Sequence, residues 1–242
     1  LTGIMDNELT NGRKHGLEKT LTALREVAVE TNKEWSAIFG IPQSTAITCV
    51  KPSGTVSQLV DSSSGIHPRH SSFYIRTVRG DNKDPLTQFM MDSQIPNEPD
   101  VMKPDTQTVF SFPMKSPKKS VVRNDMTAIQ QLEMWLLYQR HWCEHKPSVT
   151  ISVRDDEWME VGAFVFKHFD EMSGVSFLPH SDHTYQQAPY QDCTEAVYND
   201  FSSKFTHIDW DKFKSYEKED NTHSSQTLAC SGDSCEIVDI GA

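Results

Sequence analysis

The sequence predicts a chain of the α/β class, in which strands and helices alternate along the polypeptide. Three observations carry this prediction: a long amphipathic helix near the start, short runs of β-branched and aromatic residues, and a strand–helix–strand unit in the second half. The 242 residues suffice for one large or two ordinary domains. The hydrophobic share of 36% and the mean hydropathy of −0.55 are low for a self-sufficient globule. They fit a piece whose core is completed elsewhere, or a chain with a polar tail and long loops.

The first predicted element is a helix from about Gly16 to Ile38, because leucines and other apolar residues recur there at helical spacing. Gly40 and Pro42 follow and end it. A strand is predicted next, from Thr45 to Val50. Because Pro52 has no backbone N–H to donate to a sheet, this strand gives way to a turn there.

A short helix is predicted to begin immediately after this turn. Thr55 and Gln58 match the capping-box pattern Ser/Thr-x-x-Glu/Gln, which places the helix start at or next to Thr55. Free backbone N–H groups at a helix start suit a phosphate, and Gly54 lets another group approach the backbone closely. Gly65 and Pro68 then end the helix. An ordinary capped helix has the same pattern, so these residues alone leave both interpretations open.

The middle of the chain is predicted to contain two strands separated by loop. The strands are Phe73 to Val78 and Thr108 to Phe112, the second closed by Pro113. Residues 80 to 105 are rich in Asp, Asn and Pro, which indicates mostly loop with a short helix near Leu86 to Met91.

A polar, basic loop from Lys115 to Arg123 leads into the second half, where Asp125 and then Asp155 or Asp156 are predicted helix caps. The two strands predicted there flank one helix, so they form a βαβ unit with parallel strands and a right-handed crossover. The predicted elements are a helix from Met126 to Lys146, a strand from Ser148 to Val153, a helix from Glu157 to Met172 and a strand from Val175 to Leu178.

Charge and composition exclude several classes of function. The net charge of −11 argues against a nucleic-acid polymer as partner, since such binding needs a basic surface. A local basic run from Arg69 to Lys83 is typical of a solvated face. No stretch approaches 18 apolar residues and no signal peptide opens the sequence, so we expect no membrane contact and a cytoplasmic location.

The cysteines do not form a secreted disulfide pattern, because there are five and they are widely spread. The sequence His141-x-Cys143-x-His145 could suggest zinc. However, residues two apart do not share a helix face and no Cys-x-x-Cys partner is present, so we expect no metal site.

Several motifs occur together, in one order, over nearly the whole chain. They are Cys49-Val-Lys-Pro-Ser-Gly-Thr-Val-Ser-Gln-Leu-Val60, Ser64-Gly-Ile-His-Pro-Arg-His70, Tyr74-Ile-Arg-Thr-Val-Arg-Gly-Asp81, Lys146-Pro-Ser-Val-Thr150, Ser176-Phe-Leu-Pro-His180, Tyr185-Gln-Gln-Ala-Pro-Tyr190 and a C-terminal cysteine pair. With these motifs the chain resembles the C-terminal portion of the adenosylcobalamin-dependent (class II) ribonucleoside-triphosphate reductases.

The resemblance implies a fold and a division of the chain. Residues 1–190 would form the second half of the family's ten-stranded α/β barrel, and the five predicted strands match half of that barrel. Residues 191–216 would form a helical or irregular packing segment, supported by their aromatic residues. Residues 217–242 would form a flexible redox-active tail, because they are too polar to bury enough surface to stay ordered.

The same resemblance assigns the substrate phosphates to the turn and helix start described above. Pro52, Ser53, Gly54, Thr55 and Val56 would line the phosphates of a ribonucleoside triphosphate.

The second implied site is the cysteine pair Cys230 and Cys235. The residues between them include one glycine, and a polar tether precedes them, so the pair can close a small disulfide ring and can travel. In the family such a pair is a thiol shuttle, which re-reduces the active site and is recharged by a thioredoxin-type reductant. The alternative is that the two cysteines are exposed and have no redox role, or that they form a weak metal site.

The family's radical machinery is not in this chain. In the family, cobalt–carbon homolysis of adenosylcobalamin makes a thiyl radical on a cysteine of a Cys-x-Glu loop that lies upstream of the segment resembled here. The Cys-x-Glu tripeptide of this chain, Cys193-Thr194-Glu195, instead follows the motif that ends at Tyr190. The N-terminal half of the reductase would supply that cysteine, and the cobalamin contacts cannot be assigned to residues here. Three alternatives remain: an inert complementing or binding fragment, a piece of a ribonucleoside-diphosphate reductase, or a thiol–disulfide carrier.

Overall fold

The structure is a computed structural model that describes residues 1–180, 185–205 and 208–217. It is mixed α/β and divides into two compact units. The first unit joins residues 1–74 to residues 115–184, and the second joins residues 75–114 to the described residues from 185 onward. Both units therefore contain residues of the segment 1–190, which was predicted to form the second half of one barrel domain. The division by role stays a prediction.

Helices and strands alternate through the described residues, with short 3-10 helices between them. The helices are α1 (Leu17–Phe39), α2 (Val56–Leu59), α3 (Pro85–Asp92), α4 (Ala128–His141), α5 (Trp158–Lys167) and α6 (Glu195–Ser203). The strands are β1 (Phe73–Asp81), β2 (Asn97–Pro99), β3 (Gln107–Lys115), β4 (Val149–Val153), β5 (Val175–Pro179) and β6 (Tyr190–Asp192). None of the described helices is long and apolar enough to cross a membrane.

The first predicted helix is confirmed as α1. It ends where Gly40 adopts a left-handed conformation with φ +66°, and the Gly40 N–H bonds back to the carbonyl of Ala37. A glycine takes this conformation without steric cost, so the sequence signal for the end of the helix is physically sound. The predicted short helix near residue 86 is likewise confirmed as α3.

The predicted strand from Thr45 to Val50 is wrong, because this segment joins no sheet. It is held instead by the residues that follow α4. The Glu144 carboxylate accepts the N–H groups of Ile47 and Thr48 at 2.9 and 3.2 Å, and the Glu144 N–H donates to the Thr48 carbonyl. These contacts satisfy the backbone without a strand partner, a solution that local residue preferences cannot reveal.

The caps predicted for the second half are also wrong. The N-cap of α4 is Thr127, which forms a capping box with Gln130, and α4 ends at His141 rather than Lys146. Asp125 instead accepts the Val122 N–H. At α5 the N-cap residue is Glu157 rather than an aspartate, and its side chain makes no cap hydrogen bond there.

The core of the first unit is built on α4 and a parallel pair of strands. As the βαβ pattern predicts, β4 and β5 pair in parallel, with Val149 opposite Val175. Alternate residues of β4 are buried, and Trp135 of α4 is fully buried beside them. The Trp135 indole N–H donates to the Pro147 carbonyl at 3.2 Å, so this large side chain is satisfied inside the core.

The second unit is built on a sheet with the strand order β2-β3-β1-β6. The antiparallel strand β2 was missed because it has only three residues. The strand β3 continues to Lys115, past Pro113, which was predicted to close it. Its last pair with β2 is Phe110, so Pro113 lies where β2 needs no N–H from β3.

Aromatic side chains of the segment after residue 191 pack on α3 in the second unit. Phe89 of α3 lies 5.3 to 5.6 Å, between ring centroids, from Trp210, Phe213 and Tyr216. The Tyr216 hydroxyl also donates to the Asp92 carboxylate at 2.8 Å.

The described strands do not form five neighbours of one sheet. They lie in one sheet of four strands and one of two. The α/β class is therefore confirmed, whereas the half-barrel stays a proposal.

Candidate phosphate-binding site

The loop predicted to bind phosphate leads into α2, which is a single turn of four residues. Thr55 is its N-cap residue, but the Thr55 side chain makes no cap hydrogen bond, so the predicted capping box is wrong. The Ser57 hydroxyl donates instead to the Ser53 carbonyl. One such turn has too few aligned peptides for a helix dipole to contribute much. Any anion binding here must come from individual donors.

Thr2, about fifty residues earlier in the sequence, holds the loop in place. Its hydroxyl donates to the Ser63 carbonyl at 3.0 Å and accepts the Gly65 N–H at 3.0 Å. The hydroxyl oxygens of Thr2 and Ser53 are 2.7 Å apart. Because Thr2 has one proton, the Ser53 hydroxyl is the donor between them. The Ser53 hydroxyl proton is therefore donated to Thr2 and is not available to an anion.

The five predicted residues differ in what they can offer an anion. Pro52 has no N–H, and the Ser53 N–H donates to the Ser64 hydroxyl at 3.0 Å. Among the described residues, the N–H groups of Gly54, Thr55 and Val56 have no hydrogen-bond partner, and all three residues are exposed. Successive free backbone N–H groups form the kind of concavity that binds anions. The structure thus narrows the predicted set to three donors.

Gly65 fixes the approach of the chain behind this loop. Its φ is +56°, a region that side chains rarely adopt, and a Cβ there would lie 2.7 Å from the Lys51 carbonyl oxygen. The glycine therefore permits both the left-handed turn and the close packing of residue 65 against Lys51.

Arg69 is the centre of a buried ionic cluster beside the loop. Its guanidinium donates to the Asp6 carboxylate at 2.8 to 3.2 Å and to the Asp61 carboxylate at 3.0 Å. Asp61 has φ +46°, and its carbonyl also accepts from Arg69, at 2.6 Å. Burial alone would lower the pKa of Arg69, but the hydrogen bonds to Asp6, Tyr74 and Asp61 raise it above its usual value.

The prediction that the basic run from Arg69 to Lys83 is a solvated face is therefore wrong for Arg69, which is 4% exposed. In the second unit, Arg79 is also committed, because its Nε lies 2.6 Å from the buried carboxylate of Asp100. These arginines hold the backbone together and are not free to receive a ligand.

His67 ties the loop region to β4 through both ring nitrogens. Its Nε2 accepts the Thr150 N–H at 3.0 Å, so Nδ1 carries the proton that is shared with the Ser64 carbonyl at 2.9 Å. The ring is therefore neutral. Burial lowers the pKa of His67, and the hydrogen bond to the Ser64 carbonyl offsets only part of that effect.

This arrangement predicts that the free energy of unfolding falls as the pH drops below 6.5, the unfolded value for the His67 ring. Below that pH the unfolded chain binds a proton that the folded His67 site does not bind. The slope of the free energy of unfolding against pH therefore reaches at most about 1.4 kcal/mol per pH unit. His67→Gln should remove this component of the slope, measured by urea unfolding between pH 5 and pH 8 (roughly one unit or more on each side of the transition). The exposed His145→Gln is the control, and an equal flattening there would contradict the assignment.

Three cysteines lie in the described residues, and all are free thiols: Cys49, Cys143 and Cys193. Burial raises the pKa of Cys143 to about 11, with a further contribution from Cys49, and burial with Asp192 raises the pKa of Cys193. High pKa values disfavour the reactive thiolate. Cys230 and Cys235, the predicted shuttle, lie outside the described residues.

No group of three or more metal-ligating side chains occurs in the part of the chain that the structure describes. His141, the first residue of the motif considered for zinc, instead lies 3.2 Å through Nδ1 from the Thr22 hydroxyl.

Sequence reasoning missed Thr2 and Asp6, which hold the loop and Arg69. Their contacts span about sixty residues of sequence, with Asp6 also accepting the Ser63 N–H at 2.7 Å. The opening segment has neither periodicity nor a motif, so no local signal points to these roles.

Comparison with solved structures defines the class of fold. The chain matches a B-12 dependent (class II) ribonucleotide reductase with a TM-score of 0.73 and 24% identity. The match covers 84% of this chain and 29% of that structure. The fold is therefore that of a part of a class II ribonucleotide reductase.

Sequence comparison gives the particular relatives. The probable adenosylcobalamin-dependent ribonucleoside-triphosphate reductase of Dictyostelium discoideum is 29% identical over 215 residues, or 86% of this chain. The corresponding reductases of Euglena gracilis and Lactobacillus leichmannii are 27% and 26% identical over 79% and 78% of this chain. No family model matches.

These findings confirm the resemblance predicted from the motifs: the chain is similar in sequence to one part of the adenosylcobalamin-dependent ribonucleoside-triphosphate reductases. The chain spans only about a quarter of their length, 27% for the Dictyostelium discoideum protein.

Proposed function

We propose that this chain is the C-terminal part of a ribonucleotide reductase that converts ribonucleoside triphosphates into 2′-deoxyribonucleoside triphosphates. The observation that carries the proposal is the row of three unpartnered N–H groups at the exposed residues Gly54, Thr55 and Val56, within the motif that resembles the reductases. Similarity to those enzymes over most of the chain supports it. We also propose that the described strands form part of the reductase barrel and that the protein is cytoplasmic.

The phosphate loop comprises Pro52, Ser53, Gly54, Thr55 and Val56, with the last three as donors. Millimolar binding requires about 4 kcal/mol. A hydrogen bond to a charged group contributes about 1.5–3 kcal/mol net, so three backbone donors are of the right order. Pro52 and Ser53 shape the loop, and the Thr55 hydroxyl adds a further donor at its exposed edge.

Thr55→Val is expected to weaken the binding of a ribonucleoside triphosphate to the assembled enzyme about tenfold, the effect of one lost hydrogen bond to an anion. Stability should not change, because the Thr55 side chain caps nothing. Titration calorimetry measures the first quantity and thermal unfolding the second.

The matched control is Thr45→Val, the same substitution at another exposed threonine outside the loop. Unchanged nucleotide affinity in Thr55→Val, or an equal loss in both variants, would remove Thr55 from the site.

Adenosylcobalamin is named for the relatives, and its binding by the whole reductase is part of the proposal. A cavity of about 320 Å³ in the first unit, between Asn11 and α4, is at the lower end of pockets for drug-sized ligands. It is too small for a corrin. This cavity therefore does not fit the cofactor, and we assign radical formation to the rest of the reductase.

The C-terminal cysteines complete the proposal as a thiol shuttle. A thiolate at Cys230 or Cys235 would attack a disulfide formed in the active site, giving a mixed disulfide that the second cysteine then resolves. The active site regains two thiols, the tail becomes the disulfide, and a thioredoxin-type dithiol reduces the tail in turn. Cys143 and Cys193 suit this role poorly, since their pKa values are raised.

The partners that follow are the ribonucleoside triphosphate, the N-terminal part of the reductase with its radical cysteine, and the external dithiol. Without that N-terminal part the chain would be an inert complementing fragment. Turnover by the chain alone would contradict this assignment.

A further inference from the structure

The helix α1 is longer than the helix it packs on. It has 23 residues, about 34 Å, whereas α4 has 14 residues, about 21 Å. Thr22 and Arg25 of α1 contact His141 and Arg140, at 3.2 and 3.3 Å. Since α4 ends at His141, the part of α1 after Arg25 extends beyond the end of α4. We call residues 26–39 the overhang of α1.

The spacing of the apolar residues does not change along α1. Positions 17, 21, 24, 28, 31, 35 and 38 follow each other at alternating steps of four and three residues, and six of them are apolar. This is the spacing with which one helix packs along another. Leu17 and Leu21 use it inside the unit, where both are buried. The same stripe, continuing into the overhang, is therefore built for a second helix.

The stripe is exposed at its apolar positions in the overhang, where Trp35 and Ile38 are 49% and 61% exposed. Leu24, in the stripe just before the overhang, and Phe39, next to Ile38, are 50% and 65% exposed. The other side of the overhang is covered by its own chain, where Asn32 exchanges two hydrogen bonds with Ser44, at 3.0 and 3.2 Å. One side of the overhang is thus covered by the chain, whereas the other exposes apolar side chains, which is unusual for a surface that faces water.

We propose that the open stripe of α1 is the docking surface for a helix from the rest of the reductase polypeptide. The relatives are roughly three times as long as this chain, and the match covers 27% of one of them, so a large part of the enzyme lies outside it. The stripe continues a helix–helix contact that already exists in the first unit. The inference rests on the proposed function, because that function supplies the occupant.

Charge narrows the chemistry of the partner helix. Glu34 and Glu30 are exposed and lie about 40° and 80° round the helix from Ile38, so they border the stripe on one side, with Glu30 also 3.6 Å from the Lys33 ammonium. The partner helix should carry its own apolar stripe with lysines or arginines beside it.

Photo-crosslinking in the source cells tests this surface. A benzoylphenylalanine is placed at Ile38, in the stripe, or at Lys33, which lies about 140° away round the helix and is exposed. Position 38 should crosslink to a helical segment of a reductase sequence that aligns with the part of the relatives missing here, whether on a separate polypeptide or on the same longer one. Position 33 should not.

A crosslink from position 38 to a second copy of this chain, to an unrelated protein, or to nothing would overturn the inference. Deoxynucleotide formation by the same uncrosslinked preparation separates the two proposals. Activity without the crosslink leaves the proposed function standing and removes the surface, whereas a crosslink to an unrelated protein without activity removes both.

If the crosslinked segment belongs to a separate polypeptide, a second measurement determines the affinity of that purified polypeptide for this chain. Trp35→Ala combined with Ile38→Ala should weaken its association at least about 100-fold, as for paired anchor residues at an interface. Lys33→Ala should leave it unchanged. Circular dichroism of both variants shows that α1 is intact, and equal affinities in folded variants would contradict the proposal.

Discussion

Arg69→Met is expected to lower the free energy of unfolding by about 3–5 kcal/mol, because it leaves the Asp6 carboxylate without its cation. Arg69 is 4% exposed and bonds both Asp6 and Asp61, while Asp6 also holds the N–H of Ser63 next to the phosphate loop. Methionine keeps most of the side-chain volume, so the loss reports the ionic cluster rather than a cavity. Chemical unfolding measures it.

Arg13→Met is the matched control. Arg13 also forms an ion pair, 3.2 Å from Asp125, but both side chains are nearly half exposed. Such a pair contributes at most about 1 kcal/mol. Equal losses in the two variants would show that burial does not set the strength of the Arg69 cluster.

Cys230→Ser is expected to lower thioredoxin-driven turnover of the assembled reductase at least about 100-fold, because the tail can no longer exchange with the active-site disulfide. With a small dithiol such as dithiothreitol, which can reach the active site itself, turnover should stay within about threefold of the unaltered enzyme. The measurement is steady-state deoxynucleotide formation with each reductant.

Cys193→Ser is the control, since burial and Asp192 raise the pKa of this thiol and disfavour its reaction. It should leave turnover with both reductants unchanged. Equal activity of Cys230→Ser with thioredoxin and with dithiothreitol would contradict the shuttle.

Elements with strong local signals were predictable from the sequence. The glycine after Phe39 ends α1, and alternating apolar residues form β4, so both elements were predicted to within a residue or two. The parallel pairing of β4 with β5 also followed, because a single helix connects them.

Elements that depend on distant residues were not predictable. The segment from Thr45 to Val50 has the composition of a strand, but Glu144, almost a hundred residues later, supplies its hydrogen-bond partner. Thr55 and Gln58 fit a capping box by type, yet Ser57 bonds Ser53 and the cap is not made.

The candidate site likewise has one part that the sequence predicts and another that it does not. The motif identified the loop, because its residue types are specific. The structure then showed that the Ser53 N–H is already used and that Gly54, Thr55 and Val56 are free. Thr2 and Asp6, which hold the loop and Arg69, come from the start of the sequence, where spacing carries no information about them.

The central claim is that this chain works as part of a ribonucleotide reductase. It is tested most directly by purifying the tagged chain with its bound polypeptides from the source cells. Labelled ribonucleoside triphosphates are then supplied with a dithiol, with and without adenosylcobalamin. The account predicts 2′-deoxyribonucleoside triphosphates only when adenosylcobalamin is present, and none from the chain alone. No deoxynucleotide product from a preparation that contains the complete reductase sequence would contradict it.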